Sequence, residues 1–501
     1  MKAIQTFWTQ PGQPIQQIAG GWLDPRYHFM SWALSSSLLA RHFEKVVLHT
    51  DVKGRQILID ELGLPYSEVT LVQEGLEEKY PKKWWVMRKI LSYGLSDEPF
   101  IHVDGDAFLW NGLAEPLRNA TLIAQNRQDG FLCYNVAVNQ FNSAGIPLPG
   151  FINPSLDHYP AVNMGITGGT DHGFFKKYVD TVSTFYDEHL RTQEASPEMT
   201  NTGYLNTLIE ECFFSVLAAS ENLPITTLID EQLDGGYASL ANCLDRSYPV
   251  THLIGENKQR IFYCKQVEFY LRKLFPDTFL RVTRFLEKYD FHQSPVQDKP
   301  AVDPFMLSNA LCKNNAESSV FTLENYHTLT RKFQKQKKDN ILKMSLFEME
   351  KSRIIRRYLR DKPRYAKQQQ NRFALVDQLM TLPISERLDD ILAYNAHAPI
   401  LRVRYPSQST DSHCTLVYDF DFRYEHITHR SLDDLSLLIL LHTENAVPYR
   451  VLIDLFQNRT RAELDTDAPT SALVKLDLKI KEMVLIGLLT YTFSGKKTLI
   501  R

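Results

Sequence analysis

Apolar residues in the first 290 positions follow two alternating rhythms. Short, nearly continuous apolar runs at 3–8, 45–51 and 99–103 have the length of buried strands, and a weaker edge-like run lies at 69–72. Between them, residues 27–42, 55–62 and 84–93 repeat apolar positions at helical spacing. This β-α-β-α-β order predicts an α/β fold, a mostly parallel sheet with helices on its faces. Ligands of such sheets collect at the carboxyl ends of the strands, so polar residues that close an apolar run come first.

The rhythm breaks near residue 290. Residues 293–304 hold three prolines and read as a linker, giving a first domain over 1–290 and a linker over 291–304. Residues 305–397 read as a basic helical region. Short strands are expected at 401–405 and 415–420, then helices at 433–442, 448–456 and 472–485. A strand pair at 488–493 and 497–500 follows. Three helices followed by a hairpin is a winged-helix order, so 398–501 reads as a winged-helix-like C-terminal domain.

Composition narrows the function classes. With 56 Lys plus Arg against 59 Asp plus Glu, the formal charge is -3, which argues against a protein coated for nucleic acid. A 44% hydrophobic content over 501 residues supports packed cores in roughly three domains. No apolar run approaches a membrane span, and the N-terminus lacks the apolar stretch of a signal peptide. Six scattered cysteines without a Cys-x-x-Cys pair suit a reducing compartment, so a cytoplasmic protein is expected. One local excess stands out: 14 basic against 4 acidic residues over 331–367, including Lys335, Lys337 and Lys338. Arg353, Arg356, Arg357 and Arg360 would share one helix face, open to an acidic partner or packed beside acidic regions of the same chain.

The sharpest chemical signal is His102-Val103-Asp104-Gly105-Asp106, two carboxylates where an apolar strand ends. Asp104 and Asp106 can both reach one hard divalent cation, although Asp-rich turns also occur without metal. The second is His252-Leu253-Ile254-Gly255-Glu256-Asn257-Lys258. It offers an imidazole ligand, a glycine for close backbone approach and an ammonium for phosphate. The third is Asn163-Met164-Gly165, in a strand-like stretch over 161–169 that leads into a helix over 173–189.

In this order and spacing the three motifs resemble retaining GT-A glycosyltransferases such as those of glycosyltransferase family 8, over residues 1 to about 275. The resemblance implies a hexosyltransferase-like enzyme using a nucleotide-diphosphate sugar, a UDP-sugar first of all, with Mn²⁺ or Mg²⁺ bridging the diphosphate. It implies Asp104, Asp106 and His252 as metal ligands, with Gly255 and Lys258 at the diphosphate. Asn163 and Gly165 would line the donor-sugar and acceptor region. The sequence departs from that pattern after Lys258, where Gln259-Arg260 stands in place of Pro-Trp. The Asp-Gln pair beside the anomeric carbon has no clean match; Glu210 and Glu211 are the nearest candidates. Lys89 and Arg88 would steady the nucleotide or diphosphate, or form a solvated helix face. In a retaining reaction the departing phosphate takes the acceptor's proton, so no dedicated base is needed. The C-terminal domain resembles the winged-helix peptide-recognition domains of enzymes that modify ribosomally made peptides, which implies a peptide or protein acceptor. A homodimerisation module is the other reading. The competing class is a nucleic-acid-binding or regulatory protein with a non-catalytic sugar-nucleotide domain.

Overall fold

Neighbouring residues of the first strands enter two different cores. Ile4, Val47 and Phe100 join one apolar cluster, whereas Ala3, Val46, Ile101 and Val103 join another. Because strand side chains alternate in direction, both faces of the sheet are covered, and the strands read as continuous apolar runs for that reason. The structure, a computed structural model, describes residues 1–191, 202–229, 248–291, 325–336, 345–346, 348–349, 352–353, 360, 362–395, 400–404, 413–421, 426–463 and 469–494. The chain divides into two units, Met1–Phe291 and His292–Arg501. The expected linker at 293–304, Lys337, Lys338, Arg356, Arg357 and the expected strand at 497–500 lie outside the described residues.

The first unit carries strands β1 (Lys2–Thr6), β2 (Val46–Thr50), β3 (Glu68–Leu71), β4 (Phe100–Val103), β5 (Ala107–Leu109), β6 (Leu122–Asn126), β7 (Ile166–Gly169), β8 (Ile225–Ile229) and β9 (Val250–His252). Seven form one mixed, mostly parallel sheet in the order β3-β2-β1-β4-β7-β6-β8, in which β7 runs against both neighbours. Strands β5 and β9 pair separately. The architecture is therefore α/β.

Three local differences from the sequence expectation have physical causes. The helix expected from residue 27 starts at Pro25, where the ring suits the first helical position and Asp24 accepts a hydrogen bond from the Arg26 amide at 2.9 Å. The helix expected at 55–62 is a short α-turn, Val52–Arg55, running into a π-helix, Gln56–Glu61. The strand expected at 161–169 is regular only over Ile166–Gly169. Before it, Asn163 turns its side chain back to accept from the Gly165 amide at 3.0 Å, which competes with ladder geometry.

In the second unit, β10 (Ile391–Tyr394) pairs antiparallel with both β14 (Val447–Pro448) and β15 (Leu489–Thr492). Strands β11 (Ile400–Arg404), β12 (His413–Asp421) and β13 (His426–Ser431) form an antiparallel meander. Helices Asp434–His442, Tyr449–Glu463 and Pro469–Leu485 accompany the first of these sheets. Residues 391–394, read from sequence as part of the basic helical region, are the central strand, a choice made by pairing partners distant in sequence. Buried Asp477 ties this unit together, accepting from Arg387 and the Tyr449 hydroxyl, each at 2.7 Å. No helix among the described residues is long and apolar enough to cross a membrane.

Candidate metal centre and cleft

The pairing of β5 with β9 joins motifs far apart in sequence. Ala107 lies opposite His252, and the Leu253 amide donates to the Asp106 carbonyl at 3.1 Å. The third motif enters through the Asp104 amide, which donates to the Gly165 carbonyl at 2.8 Å. Asp104, Asp106 and His252 consequently each offer a ligand atom, all within 4.8 Å of one another. A Cβ on Gly165 would fall inside the His252 ring, and one on Gly105 inside the Trp32 indole. Both glycines thus make room for ring packing. Gly255 has a left-handed φ of 55° and opens the turn Gly255–Gln259 that carries Lys258.

Two lysines hold the outer oxygens of the aspartates. Lys89 Nζ is 2.7 Å from Asp104 Oδ2, and Lys258 Nζ is paired with Asp106 Oδ2. His252 Nε2 lies 3.4 Å from Asp106 Oδ1. Burial, reinforced by Asp106, pushes the Asp104 carboxyl up to about 6 against the pull of Lys89. Burial acts on Asp106 as well, but Lys258 and His252 outweigh it and hold that carboxyl well below the usual range. The neighbouring aspartates are therefore electrostatically unequal.

Lys89 also reaches Glu210 Oε1 at 2.7 Å and donates to the Met164 carbonyl at 3.0 Å. Burial lowers its affinity for the proton, yet the two carboxylates more than compensate, and its pKa is raised. Glu210 and Glu211 sit on a π-helix, Leu208–Cys212, and both are buried. Such widened turns recur at functional sites. Glu210 accepts from Tyr93 at 3.1 Å. Glu211 Oε2 accepts from Gln128 at 2.8 Å and from Tyr134 at 2.7 Å, and its Oε1 accepts from Asn163 at 3.3 Å. Burial and the Glu210 charge nevertheless push Glu211 up to about 8.

A cleft of about 580 Å³ opens onto the aspartates. Of the residues nominated from sequence, Lys89, Asp104, Asp106 and Lys258 line it, whereas Asn163, Gly165, Glu210, Glu211, His252 and Gly255 are not among its lining. Arg88 is also elsewhere: its guanidinium is buried, 3.8 Å from Glu77 and stacked near Trp8. Sequence reasoning missed much of the rest of the lining, contributed by residues between 6 and 22 with Trp32, Lys82 and Trp85. Its signal was present in the Gly20-Gly21 pair just ahead of a helix N-terminus, in the connection that follows β1, and both glycines take positive φ. This segment is fastened to the Lys258 turn: the Leu23 amide donates to the Lys258 carbonyl at 2.9 Å, and Gln259 donates to the Gly21 carbonyl. His28, also in the lining, is pushed down to about 3 by burial and Lys258, with Asp106 opposing, and so presents a neutral ring.

No curated protein matches the chain. A model described as "Family of unknown function (DUF6734)" matches residues 1–285, which contain β1 to β9 and every residue of the cleft. That match covers more than half of the sequence and all of Asp104, Asp106 and His252, and the chain belongs to the DUF6734 family.

Proposed function

We propose that residues 1–291 form a divalent-cation-dependent glycosyltransferase, GT-A-like and akin to family 8. It would transfer a sugar from a nucleoside-diphosphate donor, UDP-sugar first, with retention, to a peptide or protein. The observation that carries this reading is the convergence of Asp104, Asp106 and His252 beside a cleft that also holds three lysines and several aromatic rings. Anionic and flat aromatic ligand parts would each find complementary groups there. Two carboxylates with one imidazole suit Mn²⁺, which accepts both oxygen and nitrogen ligands. Ligand atoms of a six-coordinate ion lie at most roughly 4 Å apart, so a small contraction of the observed cluster would accommodate one.

Bound there, the cation would supply positive charge to the diphosphate as it leaves. Lys258, now on Asp106 and partly exposed, is placed to turn toward phosphate oxygens. Lys89 fixes the orientation of Asp104 and is itself braced by Glu210. In this reading Glu210 and Glu211 act as positioning residues behind the cleft. The helices of the second unit and its β14-β10-β15 sheet support its reading as a winged-helix-like module that captures the acceptor peptide along a sheet edge.

Titration calorimetry with UDP and GDP, with and without Mn²⁺, tests the proposal. Binding of one nucleotide only with metal, lost in Asp106→Ala, is the expected result. Failure of every nucleoside diphosphate to bind in the presence of Mn²⁺ would overturn it.

A further inference from the structure

Buried His252 makes a second contact that the metal reading does not use. Its Nδ1 lies 2.9 Å from Gln125 Oε1 at the end of β6. A Gln amide can be turned either way, so the contact by itself does not say which partner donates. The neighbouring bonds decide. The Arg127 backbone carbonyl can only accept, and the Asn126 side chain lies 2.8 Å from it, so the Asn126 nitrogen must face it. Asn126 Oδ1 is then an acceptor, and the group 3.0 Å away must be the Gln125 nitrogen. Gln125 Oε1 is thereby left facing His252, and Nδ1 must carry the hydrogen.

The backbone holds this chain in register. The Gln125 amide donates to the Asn163 carbonyl at 3.0 Å, and the Asn163 amide donates to the Asn126 carbonyl at 2.8 Å. Both Gln125 and Asn126 are fully buried, so water does not compete for these groups.

We infer that Gln125 is a positioning residue that fixes a hydrogen on His252 Nδ1 and leaves Nε2, 3.4 Å from Asp106 Oδ1, as the ring nitrogen that faces the cluster and would ligate a cation. The inference rests on the metal-dependent reading and extends it to a residue that never touches the ion. A metal-bound imidazole depends on the partner of its other nitrogen for tautomer and ring orientation, and loss of that partner typically weakens metal binding by about 10–100-fold. Gly165 completes the device, because only a residue without a side chain lets the ring occupy this position.

The test uses full-length protein labelled with ¹⁵N-histidine, with His252→Ala identifying the resonance. In metal-free wild type, His252 should show the Nδ1–H pattern. In Gln125→Leu that pattern should give way to a tautomer mixture, and Mn²⁺ affinity, read by electron paramagnetic resonance, should fall roughly 10–100-fold. Gln125→Glu, which still accepts from Nδ1–H, should keep both the tautomer and the affinity. An unchanged tautomer and Mn²⁺ affinity in Gln125→Leu would overturn the inference. If that variant does not fold, the glutamate variant decides alone, and loss of the Nδ1–H pattern in it would count against Gln125. Wild-type protein that shows the Nδ1–H pattern but binds no Mn²⁺ would instead refute the metal reading and leave the tautomer assignment standing.

Discussion

Two carboxylate pairs meet at Lys89, and Asp106 of one behaves oppositely to Glu211 of the other. Asp104 and Asp106 face the cleft, and each has its own ammonium. Glu210 and Glu211 are buried on a π-helix, and only Glu210 reaches the shared lysine. Glu211 has neutral hydrogen-bond donors alone. Asp106 is consequently held far down, whereas Glu211 is raised to about 8. Residue type does not account for the contrast, since all four are carboxylic acids. An ammonium offsets the cost of burying a charge, and amide or hydroxyl donors offset only part of it. Asp106 is thus suited to hold a cation and Glu211 to hold a proton.

Removing the lysine that joins the pairs should have the largest effect. Lys89→Met leaves Asp104 and Glu210 without their buried partner, and a loss of about 3–5 kcal/mol in urea unfolding is expected. A loss below about 1 kcal/mol would mean that the two pairs are independent. Next, Asp106→Ala should abolish Mn²⁺ binding seen by paramagnetic resonance and lower sugar transfer by about 10³-fold, the scale of several kcal/mol of transition-state stabilisation. The same variant would sharpen the contrast by leaving Glu211 unchanged.

The third prediction concerns pH. Glu211 has an ordinary value of 4.5 and a folded value of about 8, so between those limits the native state binds the extra proton. Its contribution to stability therefore falls as pH rises through that window. Glu211→Gln should remove the slope, and the variant should gain roughly 2–3 kcal/mol relative to wild type between pH 5 and pH 8, measured by urea unfolding at each pH. Parallel stability curves for the two proteins would refute the raised value. Asn163→Ala is the mildest change. It removes one donor to Glu211 and the acceptor for the Gly165 amide, with an expected cost of about 1 kcal/mol in the same assay.

Much of the cleft-facing pair was legible in the sequence. An apolar run ending in Asp104-Gly105-Asp106 marks a strand end, and the β-α-β rhythm indicates which end of the sheet that is. The Glu211 pocket was legible only as two acidic residues in an apolar helix. Nothing in the local sequence marks the π-helix, because apolar residues flank the two glutamates on both sides and leave no clear period in which a one-residue shift would show. Arg88 shows the same limit from the other side: it adjoins Lys89 in sequence, but its guanidinium is buried against Glu77 and Trp8 and is not part of the cleft lining. The lining between residues 6 and 22 was overlooked because it has little regular structure and so no period to read.

By itself the sequence determined the α/β class, the first four strands and the placement of Asp104 and Asp106 at a strand end. These follow from short-range rules of side-chain alternation, helix capping and turn chemistry. Tertiary structure alone decided that His252 meets the aspartates through β5 and β9, and that Gly165 makes room for its ring. It also decided which carboxyl is held down and which is raised. Those outcomes depend on distances and burial among residues remote in the chain, and on the desolvation that only a packed interior imposes.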